Sequence, residues 1–369
     1  MSRGVVRRTE LTDDLPRAED LSNYRVCQTD DLVINRMSAY QGALGRAHEL
    51  GIVSPDYLVL RLNESTEPRF AEYLFLSHYM VGEMTSLLRG VGSPGLGTVR
   101  TPRVNWSDLK QLVIDWPEAA DQRQIADYLD AQTAKIDALI GKQEQLIETL
   151  AERRQAVISH AVTKGLDPYA PMKESGIEWI GHIPGEWDRA PLRLIIDGDN
   201  AGEVIDKSWW GDGEDVLYSA AKEPIQTNFN AFPDWKRTTG RDLLVTRNAT
   251  PYVYLPLEDA MYTNVVQRFS VPVRYSRRWL KLCLDAAARS LHGYGVSIDT
   301  FNFGAWKSLQ LPIPPRNQQD EIVVYLDRET AKIEALSAKA REMIEVLKER
   351  RQALISAAVT GKIDVRGLV

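Results

Sequence analysis

The sequence predicts an α+β chain: two strand-rich, mixed α/β domains, each followed by one long helix, with the two helices pairing as an antiparallel coiled coil. Three observations predict it: a gapless internal repeat, a 3.5-residue apolar period inside the repeat, and a turn-rich, aromatic texture outside it.

The repeat comes first. Residues 122–163 and 319–360 align without a gap at a constant offset of 197, and 25 of 42 positions are identical, including YLD, TAKI, ERRQA and AVT. Upstream, the same offset of 197 pairs Asn105 with Asn302, Lys110 with Lys307, Leu112 with Leu309 and Pro117 with Pro314. Chance does not hold one register over such a length, so the chain is an internal duplication with pseudo-two-fold character.

Each copy reads as a long helix. Neither contains Pro, and the single internal Gly of the first, Gly141, costs only about 1 kcal/mol relative to Ala. Pro117 and Pro315 stand just before the helix starts, and Gly165 and Gly361 follow the ends. Apolar residues recur in steps of three, four and seven: Ile125, Leu129, Ile136, Leu139, Leu146 and Leu150, continuing to Val157. The second copy has Ile322, Leu326, Ile333, Leu336, Met343 and Leu347, continuing to Leu354 in the same phase. That period is a coiled-coil seam, and 42 residues at ~1.5 Å each make a rod of roughly 60 Å. Gln132, Gln143 and Arg153 interrupt the seam, so a lone helix is unstable and the other copy is the natural partner. Antiparallel pairing throws the preceding domains to opposite ends of the rod. The alternative, two helices buried in one common core, leaves a matching β-rich domain before each helix unexplained.

The expected boundaries are a first domain over 1–117, a first spacer helix over 118–163, a second domain over 164–316 and a second spacer helix over 317–361. In the second domain LLVT (243–246), VVQRFSV (265–271) and LQLPIP (309–314) read as strands, and 278–291 as a short helix. The first shows the same order: DDLVINR (30–36), DYLVLRL (56–62), a helix near 69–88, a Gly-rich turn, then LKQLVID (109–115). DLVINR and DLLVTR share a pattern although their surroundings diverge. Similar helices behind dissimilar domains suggest one scaffold reading two different targets.

Composition excludes several function classes. Apolar residues make up 44% and charged residues 26%, ordinary for a globular protein, and no apolar run reaches the length of a membrane span or a secretory signal. Cys27 and Cys283 lie far apart with no metal-ligand spacing and read as two reduced thiols of a cytoplasmic protein. There is no Walker A loop, no NPPY-like methyltransferase motif and no HExxH, and the five histidines are scattered, so neither a catalytic centre nor a metal or cofactor site is expected. The net charge of −6 runs against nucleic-acid binding, which draws affinity from phosphate neutralisation. Basic residues nonetheless gather locally, at Lys236, Arg237, Arg241 and Arg247 and again at Arg268, Arg274, Arg277, Arg278 and Lys281.

At this point the chain resembles the specificity subunits of Type I restriction-modification systems. The resemblance is carried by SGIEWIGHIPGEW (175–187) at the opening of the second domain and by DLVINR and DLLVTR. The junctions WPEAADQRQI and IPPRNQQDEI and the two helices ending in ERRQA contribute as well. It implies two target-recognition domains, each reading one half of a bipartite site on double-stranded DNA, with the antiparallel helices fixing the spacer. It also implies two methyltransferase subunits and restriction-translocase subunits as partners. Those partners would carry S-adenosylmethionine-dependent adenine methylation and ATP-coupled cleavage, and this chain would bind no cofactor. One departure stands out: 35 residues precede Arg36, whereas 71 run from Gly176 to the residue before Arg247. The first domain is therefore expected to be N-terminally incomplete. Two other readings are a stand-alone DNA-modifying enzyme and a structural coiled-coil adaptor without DNA selectivity.

Base readout needs bidentate or planar side chains on turns or a helix. The turn Arg247, Asn248, Thr250, Tyr252 offers these, and Arg36, Ser38, Tyr40 and Gln41 stand at the equivalent place. The bland alternative is that Arg and Tyr close a β-edge. Lys236, Arg237 and Arg241 are candidate phosphate contacts, against an ordinary solvated face. Ser93 and Tyr294 lie in Gly-rich segments that would let backbone approach phosphate, or merely turn. Trp209 and Trp210 read as core or subunit contacts. Arg153, Arg154, Arg350 and Arg351 read as structural, near the helix ends, with methyltransferase contact as the minority alternative.

Overall fold

The computed structural model describes residues 4–13, 20–87, 103–248, 250–291 and 302–365. It divides into two compact units, Met1–Gln145 with Lys339–Val369, and Leu146–Ala338, and each unit contains part of both long helices.

Five short strands open the first unit: β1 (Arg25–Cys27), β2 (Leu32–Asn35), β3 (Leu44–Arg46), β4 (Gly51–Val53) and β5 (Tyr57–Leu60). β2 lies between β3 and β5, antiparallel to both, and β1 pairs antiparallel with β4. The period of two in Leu-Val-Ile sends Leu32 and Ile34 to one face and Val33 to the other, and both faces are covered. Leu32 and Ile34 meet Phe70, Leu74 and Met80 from helices α1 (Pro68–Leu76) and α2 (His78–Ser86), while Val33 meets Cys27 and Ala47. The single helix expected near 69–88 is thus two. Ser77 is extended, and its Oγ accepts from the Met80 amide at 3.2 Å, a side-chain cap that restarts the helix. After α3 (Trp106–Leu109) comes the long helix α4 (Ala119–Lys164). Its Ile125, Ala126 and Leu129 complete this core together with Ile355, Ala358 and Val359 of a second long helix.

In the second unit β6 (Met172–Glu174) and β7 (His182–Pro184) form an antiparallel ribbon, followed by β8 (Asp188–Pro191). Next come β9 (Asp197–Ala201), β10 (Trp210–Tyr218), β11 (Ile225–Thr227), β12 (Asp242–Thr246), β13 (Val253–Tyr254), β14 (Met261–Tyr262) and β15 (Val266–Ser270). Helices α5 (Arg277–Ala287) and α6 (Phe303–Ser308), strand β16 (Gln310–Ile313) and the long helix α7 (Arg316–Val359) complete the described elements. One sheet runs β13-β12-β15-β9, another β11-β10-β14, and β16 pairs antiparallel with β8. All five residues of β12 are buried, because Leu243 and Val245 enter the core on the long helices while Leu244 enters a second core with Tyr218, Tyr254 and Tyr262. LKQLVID of the first unit, expected as a strand, has no strand partner among the described residues, whereas its repeat equivalent is β16.

The duplication is legible residue by residue. The helix positions completing the second unit's core are Ile322, Val323, Leu326, Ile158, Ala161 and Val162, each 197 positions from its counterpart in the first unit. In the first unit Arg351 forks onto Asp137 at 3.0 and 3.4 Å, and in the second Arg154 meets Glu334 at 3.6 Å. These two ion pairs are copies of one another at the same offset, and the residue numbers of each pair add up to 488. Each unit, taken alone, therefore holds the two helices antiparallel and in the same register.

The inward phase of the helices corrects four of the expected seam residues. Ile125, Leu129, Ile136, Leu150, Ile322, Leu326, Ile333 and Leu347 are buried, but Leu139, Leu146, Leu336 and Met343 are 42–52% exposed. Stepping four and three from Leu129 reaches Thr133, Ile136, Ile140, Gln143, Ile147 and Leu150, which are buried or half-buried. The equivalent path in α7 admits Thr330, Ser337 and Ala340 before Ile344. Adjacent apolar pairs at 139/140, 146/147 and 343/344 fit either phase in the sequence, and the polar or small Thr133, Gln143, Thr330, Ser337 and Ala340 disguise the buried one. Thr133 and Thr330 tolerate the seam because each hydroxyl donates to a carbonyl one turn back, Leu129 and Leu326, at 2.7 Å.

Candidate nucleic-acid interface

The turn after β12 is built by Thr246, whose Oγ1 donates to the Thr250 carbonyl at 2.7 Å and accepts from the Tyr252 amide at 2.9 Å. Tyr252 stands 6.1 Å from the ring of Tyr254, and Tyr254 is anchored by its hydroxyl to the Ser219 and Ala221 carbonyls at 2.8 and 2.5 Å. Burial pushes the Tyr254 phenol well up, so it stays a neutral donor. Among the described residues the Arg247 guanidinium reaches the Asn264 carbonyl, at 3.4 Å, and its Nε and the Asn248 Oδ1 are buried without a hydrogen-bond partner. A guanidinium and an amide, each with one unsatisfied atom among the described residues, thus follow one another on the turn that leads to Tyr252.

The equivalent turn after β2 is spent internally. Arg36 donates through Nη2 to Asn105 Oδ1 at 2.7 Å and through Nε to the Val104 carbonyl at 3.3 Å, closing the sheet edge. Ser38 turns the backbone, bonding through its amide to the Asn35 carbonyl at 3.1 Å. Tyr40 Oη accepts from Gln41 Nε2 at 3.4 Å beside a shallow cavity of about 320 Å³ that Leu76, His78 and Gln352 also line.

The candidate phosphate contacts differ among themselves. Lys236 Nζ is held by Glu203 at 2.5 Å and the Ala201 carbonyl at 3.1 Å. Arg237 sits among Asp215, Asp234 and Asp259 at 3.6–3.8 Å and donates to the Asp259 carbonyl at 2.8 Å. Arg241 is exposed. The other basic cluster is largely paired: Arg268 with Asp242 at 3.4 Å, Arg278 with Asp327 at 2.7 Å and Lys281 with Asp285 at 2.5 Å. Trp209 is partly exposed and makes an edge contact with Phe229, and Trp210 lies against the second core. Ser93 and Tyr294, with their Gly-rich segments, lie outside the described residues.

Sequence reasoning missed how the domains seat on the helices. Gln122 donates to the Pro117 carbonyl and accepts the Glu67 amide, both at 2.8 Å, and Gln319 donates to the Pro314 carbonyl and accepts the Ser276 amide, both at 2.8 Å. Glu67 and Ser276 are the N-cap residues of α1 and α5, so each buried glutamine ties the start of a long helix to the start of a domain helix. Two turns on, Asp130 accepts from Arg69 and Tyr73, and its copy Asp327 accepts from Arg278, all at 2.7 Å. Burial pushes the Tyr73 hydroxyl up to about 12. Gln122/Gln319 and Asp130/Asp327 were visible as identities in the repeat; their partners lie in segments that do not align.

The shared DLVINR/DLLVTR pattern has a folding role at its acidic end. Asp31 accepts the Gln28 amide at 2.8 Å and Asp242 the Thr239 amide at 2.7 Å, three residues back in each case. Arg61, at 2.9 and 3.1 Å, holds the Asp31 carboxyl below the usual carboxylate range.

Solved structures share this fold. A chain of a type I R-M system, solved in a study of its complex assembly and conformational transition, superposes with a TM-score of 0.71 at 17% identity, over 94% of this chain and 85% of that one. The HsdS subunit of Thermoanaerobacter tengcongensis superposes with a TM-score of 0.50 at 18% identity, over 94% and 84%. This is the fold of a Type I restriction specificity subunit. In sequence, the chain is similar to the Type I restriction enzyme EcoBI specificity subunit of Escherichia coli, 23% identical over an alignment of 322 positions that covers 79% of this chain and 66% of that protein. No protein-family model matches the chain. Among the described residues no cluster of His, Cys, Asp or Glu could hold a metal ion, and no helix is long and apolar enough to cross a membrane.

Proposed function

We propose that this chain is the DNA-specificity subunit of a Type I restriction-modification assembly and performs no catalysis itself. Each domain reads one half of a two-part site, and the paired helices set the distance between half-sites, on the scale of one ~34 Å turn of duplex. The observation that carries this reading is the identical seating of two dissimilar domains on duplicated helices through Gln122/Gln319 and Asp130/Asp327. Such a design keeps the scaffold constant while the reading surfaces vary. In the second domain Arg247, Asn248 and Tyr252 supply base and backbone contacts, with exposed Arg241 on phosphate. Methyltransferase subunits, two of them in keeping with the duplicated helices, and restriction-translocase subunits supply the methylation and the cleavage.

Methylome sequencing with and without the gene tests this. Deletion should erase adenine methylation at a single two-part motif. An unchanged methylome, in cells where the chain co-purifies with a methyltransferase, would sink the reading.

A further inference from the structure

The two units differ sharply at one equivalent place. In the second unit, the stretch running from β7 through β8 to the 3-10 turn Leu192–Leu194 covers the start of α7, the end of α4 and the face of α6. Trp187 is fully buried there, its indole N–H donating to Gln318 Oε1 at 2.8 Å. Its ring lies so close to Gly165 that a Cβ on that glycine would stand 3.2 Å from it. β8 pairs with β16 in the register Leu311↔Ala190 and Ile313↔Asp188, and Leu311 and Pro312 are buried.

In the first unit the equivalent surfaces are more open among the described residues, although Ile114 is half-buried and Trp116 makes an edge contact with Phe70. Residues 113–116 are the repeat equivalent of β16, and among the described residues nothing pairs with them. Asp115 and Trp116 are exposed where their counterparts Pro312 and Ile313 are buried and half-buried, and Ile114 is half-buried where Leu311 is buried. Trp106 is 50% exposed, whereas its counterpart Phe303, on the face of α6 that Leu192–Leu194 covers, is 8% exposed. At Gly361, which ends the second helix as Gly165 ends the first, an added Cβ would meet nothing within 4 Å. Asp121 takes the place of Gln318 and keeps an acceptor for an indole N–H.

We propose that residues 113–116 of the first unit are a strand-docking edge for an extended segment of another polypeptide, with the chemistry of residues 172–196 of this chain. That segment carries a tryptophan that enters the open space at Gly361 and Asp121, followed by a strand that pairs antiparallel with Ile114 and Trp116, and then an apolar turn that covers Trp106. The internal copy specifies the occupant: it shows which chemistry fills the same surface in the second unit. Backbone hydrogen bonds supply the affinity, and the tryptophan pocket supplies the selectivity.

The test titrates the full-length chain with a synthetic peptide of residues 172–196. The expected result is saturable one-to-one binding, with slowed amide exchange confined to 112–116 and 361–363. Ile114→Pro, which removes the ladder N–H at the position of Leu311, should weaken binding by about tenfold or more, and so should Trp187→Ala in the peptide. Absence of binding to the wild-type chain would overturn the proposal. So would binding that Ile114→Pro leaves unchanged with protection falling in β16. Self-association of the chain through 113–116, insensitive to the peptide, would overturn it as well. The exchange measurement uses the unmutated protein, so a poorly folded Ile114→Pro variant leaves the question answerable.

Discussion

The first and second units bury the same six helix positions and use the same glutamine and aspartate to seat a domain, yet among the described residues their outer cores differ greatly in size. In the second unit Leu217, Tyr218, Leu244, Tyr254, Tyr262 and Val266 pack between two sheets, whereas in the first Val33, on the corresponding face of β2, meets Cys27 and Ala47 with a few half-buried neighbours. The helix-proximal layer is thus duplicated and the outer layer is not. The two turns after β2 and β12 follow the same division, since Arg36 is consumed by Val104 and Asn105 while Arg247 Nε has no partner among the described residues. Scaffolding contacts repeat because both domains must seat on the same helix surface; outer contacts diverge because nothing in the scaffold constrains them.

The sharpest break in that comparison is Trp187→Ala. Removing a fully buried indole typically costs about 3–5 kcal/mol, and here it also strands Gln318. Amide exchange across unit two should accelerate while that of unit one stays unchanged. Equal acceleration in both would mean that the two open as one cooperative block. Next come the glutamines. Gln122→Ala and Gln319→Ala each leave an N-cap amide, half-buried at Glu67 and buried at Ser276, and a proline carbonyl unpaired, about 1–3 kcal/mol apiece by general experience. The effects should be equal in size and opposite in place, unit one for Gln122 and unit two for Gln319. Unequal losses would show that the domains lean on the clamp differently.

A third comparison separates reading from folding. Arg247→Ala should weaken sequence-specific DNA binding by roughly 10- to 100-fold, the range of a lost bidentate contact, with little change in melting temperature. Arg36→Ala should instead lower the stability of unit one by about 1–2 kcal/mol and leave DNA selectivity nearly intact. Electrophoretic mobility shifts on the motif found by methylome sequencing, alongside thermal melts, distinguish the two. The reverse pattern would place the reading surface on the first turn.

The helices were legible in the sequence because a 197-residue offset with repeated identities is a global signal that local noise does not hide. Their facing was harder. Leu139 and Ile140, or Met343 and Ile344, are both apolar and adjacent, so hydrophobicity alone does not choose between two phases one residue apart, and the buried phase passes through Gln143 and Ala340. The break at Ser77 hid inside an apolar run whose helical period continues on both sides. The fate of LKQLVID depends on whether a strand lies beside it, which no property of those seven residues encodes. Among the candidate contacts, sequence found the turn at Arg247 and its copy at Arg36 but could not tell a spent arginine from an unspent one, because Asn105 lies 69 positions from Arg36.

The smallest effect offers the cleanest symmetry test. Asp137–Arg351 and Glu334–Arg154 are the same pair in two copies, but the first is a fork at 3.0 and 3.4 Å with Arg351 largely covered, and the second is a single contact at 3.6 Å between exposed side chains. Exposed pairs contribute about 0–1 kcal/mol, and planar forks lie toward the upper end. Double-mutant cycles to alanine should therefore return a coupling of about 0.5–1 kcal/mol for Asp137–Arg351 and close to zero for Glu334–Arg154, the former shrinking as salt is raised. Equal couplings would mean that the rod is electrostatically as symmetric as it is in sequence. The difference between the units would then be confined to the domains, with none of it reaching the helices.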